Sequence, residues 1–139
     1  MAVAPLFSLE GRVALVTGAG GGIGGSIARA LASAGAGVMC VGRTMASLEQ
    51  TATAIADHGG RALTFAVDLA APGNPKRAVE ECERRLGGID ILVNAAGIQR
   101  RRSALEINDD DWNAMLETNL KAVFFVAQAT ARRMVASGR

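Results

Sequence analysis

Short apolar runs alternate along the chain with longer segments in which apolar residues recur at helical spacing. The apolar runs predict strands over residues 12–17, 38–41, 62–67 and 89–93. The helical spacing predicts helices from residue 23 onward and over residues 45–57, 75–86 and 109–136. Because a helix follows every strand, we expect an α/β fold with a parallel sheet of four strands and four helices. Right-handed crossovers then predict the strand order 3-2-1-4.

The same spacing predicts which side of two helices faces the sheet. In the first helix the inward residues are Ile23, Ile27, Ala30, Leu31 and Ala34. In the last helix they are Trp112, Met115, Leu116, Leu120, Val123, Phe124 and Ala127. The expected N-cap of the last helix is Asn108 or Asp109, and the basic residues expected to close it are Arg132 and Arg133.

A glycine-rich turn over residues 17–25 separates the first strand from the first helix. Glycines let the backbone approach a ligand closely, and the start of a helix offers unpaired N–H groups to an anion. One glycine spacing, G-x-G-x-x-G, is carried by Gly20, Gly22 and Gly25. A second, T-G-x-x-x-G-x-G, agrees better with the end of the strand and is carried by Thr17, Gly18, Gly22 and Gly24. The turn predicts a pyrophosphate site, and the alternative is a tight turn without a ligand.

Composition narrows the class of protein. The chain has 139 residues, 50% of them hydrophobic, which predicts a single domain with a real core, and its net charge of +2 is too small to indicate a nucleic-acid partner. No apolar run is long enough to span a membrane, and residues 1–10 lack the features of a signal peptide, so we expect a cytoplasmic protein. Cys40 and Cys82 have no metal-type spacing and are expected to be buried, reduced thiols. Because no lysine follows Gly25, a triphosphatase loop is not expected.

The end of the second strand indicates which dinucleotide would bind. In nicotinamide-binding folds an acidic residue about 20 positions after the glycine turn accepts the ribose hydroxyls of NAD, whereas an arginine nearby accommodates the 2′-phosphate of NADP. Here the strand is followed by Arg43, and no carboxylate is near. The sequence therefore favours NADP over NAD, and the alternative is that Arg43 is a solvated residue at the helix entry.

Four groups of residues together resemble the N-terminal half of the short-chain dehydrogenase/reductase family, over nearly the whole chain. They are Thr17-Gly18 with Gly22-Ile23-Gly24, Asp68 after the third strand, Asn94-Ala95-Ala96-Gly97 after the fourth, and Asn119 in the last helix. The resemblance implies a Rossmann-type doubly wound sheet that binds NAD(P) through residues 1–139. The segment Gly97-Ile98-Gln99-Arg100-Arg101 further resembles sugar-acid dehydrogenases of the gluconate 5-dehydrogenase or 2-deoxygluconate dehydrogenase type.

The resemblance also implies a role for each group. The cofactor-binding residues would be Thr17, Gly18, Gly20, Gly22, Ile23, Gly24, Arg43, Asp68, Leu69, Asn94, Ala95, Ala96 and Gly97. Among them Asp68 with Leu69 would lie by the adenine amino group, although Asp68 is also explained as a helix N-cap before Pro72. Asn94 to Gly97 would lie beside the adenine ribose or form a plain turn of the fold.

Asn119 falls on the predicted inward stripe of the last helix, where a buried amide without partners costs about 1 to 3 kcal/mol. The family resemblance implies that it anchors a main-chain carbonyl and a water linked to the catalytic lysine. The alternative is an amide that only satisfies buried backbone groups.

The chain has no tyrosine, and its lysines are Lys76 and Lys121. The family uses a tyrosine activated by a lysine four residues later, with a serine that polarises the carbonyl. We therefore expect a cofactor-binding half that stops before strand five and the Tyr-x-x-x-Lys helix and is inactive alone. The strand at 89–93, apolar enough for burial on both faces, would be an edge without a fifth strand.

Three hypotheses about the protein from which this chain comes are consistent with the sequence. The first is an NADP-linked alcohol or sugar-acid oxidoreductase, which by resemblance would be a homotetramer at full length. The second is a noncatalytic dinucleotide-binding module, and the third is a nonfunctional remnant or a partial sequence. The run Arg100-Arg101-Arg102 would attract an anionic sugar acid in the first case, or is a solvated loop.

Overall fold

The computed structural model describes residues 5–138 and contains the predicted alternation of strands and helices. The strands are β1 (Val13–Thr17), β2 (Gly37–Gly42), β3 (Arg61–Ala66) and β4 (Ile91–Asn94). The helices are α1 (Gly22–Ser33), α2 (Met45–Ala56), α3 (Asn74–Leu86), α4 (Asp109–Leu116) and α5 (Ala122–Ser137). A π-helical turn, Glu117–Lys121, joins α4 to α5, and a short 3₁₀ turn spans Pro5–Phe7. None of the helices in the described range is long and apolar enough to cross a membrane.

The strands form one parallel sheet in the order β3-β2-β1-β4, which confirms the predicted topology. Thr17 at the end of β1 is in register with Val41 of β2 and with Asn94 of β4. Since the strands are parallel, their carboxyl ends meet at one edge of the sheet, which is where ligands bind in open α/β folds. The segments that follow β1, β2 and β4 are thereby brought together.

Both faces of the sheet are covered by helices. On one face the side chains of alternate β1 and β2 residues pack against α1 and α2 in a buried cluster that includes Val16, Cys40 and Leu48. On the other face the intervening residues pack against α3 and α5, with Leu15 and Val126 fully buried. This doubly wound arrangement follows from the continuous apolar runs of β1 and β2, which leave no polar face to water.

The predicted inward face of α1 is confirmed at Leu31, which packs against the buried cluster, and is wrong at Ile23 and Ala30. Ile23 is 77% exposed, and Ala30 is exposed as well. The buried residues of α1 are Gly24, Gly25, Ala28 and Ala32. The residues of α1 that contact the sheet are small, which allows the helix to lie close to it. A prediction from hydrophobicity ranks isoleucine above glycine and therefore places the wrong residues on the inner face.

The last helix is continuous over residues 109–137, and the predicted cap at its start is confirmed because the side chain of Asn108 accepts a hydrogen bond from Asp111 N at 2.9 Å. Its end agrees with the expectation to within one residue, since α5 ends at Ser137 and Gly138 follows in a left-handed conformation with φ of 70°. Its inward stripe is wrong. Trp112, Leu120 and Phe124 are more than half exposed, and the buried residues are Asp111, Ala122, Val126 and Thr130.

The two cysteines are buried and unpaired, as predicted. Cys40 lies in the cluster under α1 and α2, and Cys82 lies in the cluster under α3 and α5. Burial raises the pKa of the Cys40 thiol to about 11 and that of Cys82 to about 12, with the charge of Glu83 adding to the second shift. Both thiols are therefore protonated at neutral pH.

Candidate functional site

The glycine turn between β1 and α1 presents a row of free backbone donors. Ala19 N donates to Val41 O at 3.1 Å, and Gly25 N donates to Gly21 O at 3.0 Å. Between them, the N–H groups of residues 20–24 donate to no protein oxygen within residues 5–138. Consecutive free N–H groups at the start of a helix bind anions, because they add to the positive end of the helix dipole.

The glycines of the turn serve two different purposes. Gly18 has φ of 67°, and a Cβ there would lie 2.6 Å from the carbonyl oxygen of Ala95, which is closer than real Cβ atoms approach. A Cβ on Gly24 would collide with the carbonyl oxygen of Gly18. Gly22, with φ of 53°, faces open space. Packing inside the protein therefore requires Gly18 and Gly24, while Gly22 leaves the outer surface of the turn accessible to a ligand.

Thr17 connects the glycine turn to the segment after β4. Its hydroxyl accepts hydrogen bonds from Ala95 N and Ala96 N, both at 3.1 Å, and its Oγ1 lies 3.4 Å from Val93 O, to which it donates. The residue is 1% exposed. With the hydroxyl engaged by three main-chain groups, Thr17 acts on a ligand site through the position of Ala95 and Ala96 and has no free donor of its own.

Asn119 holds the same segment from the other side. Its Oδ1 accepts from Ile98 N and its Nδ2 donates to Ile98 O, both at 2.8 Å, so the amide pairs with one residue as a neighbouring strand would. Asn119 lies in the π-helical turn and is exposed, so the expectation of a buried amide is wrong. A π turn inserts an extra residue into a helix and is frequent at functional sites. The side chain therefore orders the loop that begins at Gly97 and does not fill the core.

A cavity of about 210 Å³ lies where the ends of β1, β2, β3 and β4 meet. Its lining residues are Gly18, Gly20, Gly21, Gly42, Arg43, Thr44, Ser47, Val67, Asp68, Leu69, Ala96, Gly97, Ile98 and Thr118. The sequence-predicted site residues among them are Gly18, Gly20, Arg43, Asp68, Leu69, Ala96 and Gly97. Predicted residues that do not line it are Thr17, Gly22, Ile23, Gly24, Asn94, Ala95 and Asn119. The structure thus brings together five sequence-distant segments at one opening, four of which contain predicted site residues.

Several lining residues carried no individual signal in the sequence. Thr44 is the N-cap of α2, and Ser47 donates its hydroxyl to Thr44 O at 2.9 Å. The side chain of Ser47 fills the space beside Gly20, where a Cβ would collide with its hydroxyl. Thr118 precedes Asn119 in the π turn. In the sequence, Thr44 and Ser47 are indicated by their proximity to Arg43, and Thr118 is indicated by its position next to Asn119.

Arg43 and Asp68 lie on the rim of the cavity, at the ends of β2 and β3. Arg43 is exposed, and no carboxylate in residues 5–138 forms an ion pair with its guanidinium. Asp68 accepts a hydrogen bond from Ala70 N through Oδ1 at 3.0 Å. The N-cap of α3 is Gly73, so the alternative in which Asp68 caps that helix is wrong. Its carboxylate orders a local turn and retains acceptor capacity at the cavity.

The arginine run continues from the cavity along the loop after Ile98. Arg102 Nε lies 2.7 Å from Asp111 Oδ2, and Arg100 Nε lies 3.8 Å from Asp111 Oδ1. Among the described residues, Arg101 forms one side-chain hydrogen bond, in which its Nε donates to Gln99 Oε1 at 3.3 Å. All three arginines are exposed, as expected for a solvated loop, and Arg100 and Arg102 also face Asp111.

Comparison with known proteins identifies the family of the chain. The family model described as short chain dehydrogenase matches residues 12–139. Gluconate 5-dehydrogenase from Gluconobacter oxydans (strain 621H) is 45% identical over 134 residues, which cover 96% of this chain and 52% of that protein. A short-chain type dehydrogenase/reductase from Mycobacterium marinum superimposes with a TM-score of 0.93 at 40% identity, covering 99% of this chain and 56% of that one. A 3-oxoacyl (acyl-carrier-protein) reductase from Agrobacterium tumefaciens C58, solved with NADP bound, gives a TM-score of 0.90 at 34% identity, covering 99% and 53%.

The chain belongs to the short-chain dehydrogenase family, whose members are oxidoreductases that bind a nicotinamide dinucleotide. The resemblance expected from its motifs is thereby confirmed, as is the similarity to gluconate-type dehydrogenases. The chain spans about half the length of the curated relatives that it matches.

Proposed function

We propose that the cavity at the ends of the strands binds the dinucleotide of a short-chain dehydrogenase. One observation carries the proposal: the free N–H groups of residues 20–24 and a cavity built from all four strand ends lie at the same edge of the sheet. The free donors suit a pyrophosphate, and the open face of Gly22 leaves room for it. Thr17 and Asn119 position the segment after β4, beside which the adenine ribose would lie.

NADP is favoured over NAD in this proposal. Arg43 has no ion-pair partner among the described residues and stands on the rim of the cavity, next to the hydroxyl-bearing Thr44 and Ser47. A guanidinium pairs well with a phosphate, because its N–H groups match two phosphate oxygens. Asp68 with Leu69 would contact the adenine, the carboxylate accepting from the amino group. The related reductase solved with NADP supports the same choice.

For the whole protein, we propose hydride transfer between the nicotinamide and an alcohol or ketone, with a sugar acid as the substrate class. The supporting observation is 45% identity to a gluconate 5-dehydrogenase. The bound cofactor supplies the hydride acceptor or donor. The residues of this chain bind and orient it, and we expect the 139 residues alone to be inactive because they include no tyrosine. A cytoplasmic homotetramer at full length belongs to the same proposal.

Titration of the purified chain with NADPH and NADH, followed by calorimetry, tests the cofactor proposal. We expect Arg43→Ser to weaken NADPH binding by about 10- to 100-fold and to leave NADH binding nearly unchanged, because only NADPH carries the 2′-phosphate. Arg61→Ser is the matched control, since Arg61 is exposed at the opposite end of its strand. If millimolar NADPH does not bind the wild-type chain, both the proposal and the alternative of a noncatalytic binding module are rejected, and the nonfunctional fragment remains.

A second measurement addresses activity. Gluconate and NADP⁺ incubated with the pure 139-residue chain should give no increase in absorbance at the wavelength of NADPH above that of a protein-free sample. Turnover that scales with protein concentration would contradict the proposal that the chain supplies only the cofactor-binding half.

A further inference from the structure

A groove of about 640 Å³ lies between α3 and α5. It is separate from the cavity at the strand ends, except that Leu69 lines both. Its lining includes Val79 and Ala122, which are buried, and Phe125, which is 42% exposed. Sites for small molecules have volumes of about 300–1,000 Å³ and are mostly apolar, with a few polar groups that orient the ligand. The groove therefore has the size and the apolar lining of a site for a small molecule.

The charged residues that line the groove carry an excess of positive charge. They are Lys76, Glu80, Lys121, Arg132 and Arg133. Glu80 Oε1 lies 3.6 Å from Lys76 Nζ and 3.7 Å from Arg133 Nη2. Lys121 Nζ lies 3.0 Å from Glu117 Oε1. Arg132 forms no ion pair and no side-chain hydrogen bond within residues 5–138, so its guanidinium is the lining cation left for an anionic ligand.

A second polar group of the groove lies next to Arg132 on the same helix. Gln128 lines the groove four residues earlier, and residues four apart in a helix lie on one face. Gln128 is half-buried, and its amide forms no hydrogen bond within the described range. An amide N–H and a guanidinium can donate to the two oxygens of one carboxylate. Arg132 and Gln128 together are therefore suited to a carboxylate at the side of the groove.

The rest of the groove indicates what the carboxylate should carry. Toward the start of α5 the lining residues are Phe125 and Ala122, and α3 contributes Val79. From Gln128 to Ala122 the helix extends about 9 Å, at about 1.5 Å per residue. Along this stretch an alkyl chain would bury apolar surface, and each buried methylene would strengthen binding about fourfold. The hydroxyl groups of a sugar would lose water there without a polar side chain from these three residues.

We propose that the groove between α3 and α5 binds a medium-chain fatty acid. Arg132 and Gln128 bind its carboxylate, and its alkyl chain lies along Phe125, Ala122 and Val79. This is a second binding site, and it does not depend on the dinucleotide proposed for the cavity at the strand ends.

The first test compares three probes that differ in charge or in chain length. Octanoate, 1-octanol and hexanoate are each titrated into the 139-residue chain, below the concentration at which octanoate forms micelles. Calorimetry gives the affinities, and NMR follows the side-chain amide of Gln128. We expect octanoate to bind about tenfold more tightly than 1-octanol, because only octanoate carries the carboxylate, and to shift the Gln128 signal. Hexanoate, which is two methylenes shorter, should bind about tenfold more weakly than octanoate.

Two variants separate the charged end of the groove from its apolar part, and circular dichroism checks that each is folded. Arg132→Gln should weaken octanoate binding about tenfold and leave 1-octanol unchanged. Arg61→Gln is its matched control, since Arg61 is exposed, has no ion pair among the described residues and lies outside the groove. Phe125→Ser should weaken both probes about fivefold, because both lose apolar contact. Val135→Ser is its control, since Val135 is 82% exposed on the same helix and does not line the groove.

Each remaining outcome has a definite meaning. Equal binding of octanoate and 1-octanol, or an Arg132→Gln effect no larger than that of Arg61→Gln, overturns the carboxylate site. Equal effects of Phe125→Ser and Val135→Ser overturn the placement of the alkyl chain. A wild-type dimer in sedimentation that does not bind octanoate and that dissociates in Phe125→Ser would mean that a second copy covers the groove, which also overturns the proposal. Octanoate binding that is unchanged in Arg43→Ser supports it, because Arg43 lies at the other cavity.

Discussion

The helices on the two faces of the sheet differ in how much apolar surface they leave exposed. The central strands are fully buried on both faces, with Val16 and Leu15 at 0% exposure. The large apolar residues exposed on α1 and α2 are Ile23 and Met45, whereas the last helix exposes several, among them Leu120 at 64% and Phe124 at 57%. The glycine turn belongs to the first region, and the loop with the three arginines belongs to the second. The cavity at the strand ends lies between them.

These helices show that the size of the apolar residues on one side of a helix does not identify the side that faces the sheet. Both α1 and the last helix carry their larger apolar residues outward and their smaller ones inward, as with Ile23 against Ala28 and Phe124 against Ala122. Small residues allow a short distance between helix and sheet, and close contact determines packing energy. Close steric contact positions the glycine turn. The segment after β4 is positioned by hydrogen bonds to Thr17 and Asn119.

The largest predicted effect is at Gly18, where the two regions touch. We expect Gly18→Ala to lower the free energy of unfolding by about 3 kcal/mol, because the new Cβ would lie 2.6 Å from Ala95 O in addition to the strain of a positive φ. Gly11→Ala is the matched control, since Gly11 has φ of 75° with nothing near its Cβ position. That control should lose about 1 kcal/mol in the same urea titration. Equal losses would mean that steric contact between the regions contributes little.

The next prediction compares two residues on one helix. Val126 is 1% exposed and Phe124 is 57% exposed, although phenylalanine is the larger apolar residue. We expect Val126→Ala to cost about 2 kcal/mol and Phe124→Ala to cost less than about 0.5 kcal/mol, both measured by urea unfolding. A larger loss at Phe124 than at Val126 would show that the residue is covered in solution and would restore the inward stripe expected from the sequence.

Much of the fold follows from the sequence, because strand order depends on features that a single chain displays. Continuous apolar runs predict buried parallel strands, and the glycine turn after β1 indicates the carboxyl edge of the sheet as the site. The inner faces of two helices could not be predicted in this way, since a pattern of hydrophobicity does not record distance. The pairing of Asp111 with Arg100 and Arg102 depends on loop geometry for the same reason. The π turn at Asn119 likewise had no sequence signal.

A smaller effect is expected at Asn119, which holds the segment after β4. Asn119→Ala removes two hydrogen bonds to Ile98, each contributing about 0.5 to 1.5 kcal/mol, so we expect a loss of about 1 to 2 kcal/mol. The amide of Ile98 should also exchange with solvent about tenfold faster, because its acceptor is gone. Asn113→Ala is the control, since the side chain of Asn113 forms no hydrogen bond within residues 5–138. Unchanged exchange at Ile98 would remove Asn119 as the residue that orders this loop.

The two cysteines test the comparison without a substitution, since Cys40 reports on the face under α1 and α2 and Cys82 on the face under α3 and α5. At pH 7.5 neither buried thiol reacts, because burial raises the pKa of both, to about 11 and about 12, so labelling requires local opening. Cys82 lies under α3 and α5, and the last helix exposes more large apolar residues than α1 and α2 do. Opening on that face should therefore disrupt less packing, and we expect Cys82 to be alkylated about tenfold faster than Cys40, a difference of about 1.4 kcal/mol in opening free energy. Peptide mass spectrometry after timed iodoacetamide treatment gives both rates in one sample. Equal rates in native buffer would mean that the two faces open together and that the exposed apolar residues of the last helix do not weaken its packing.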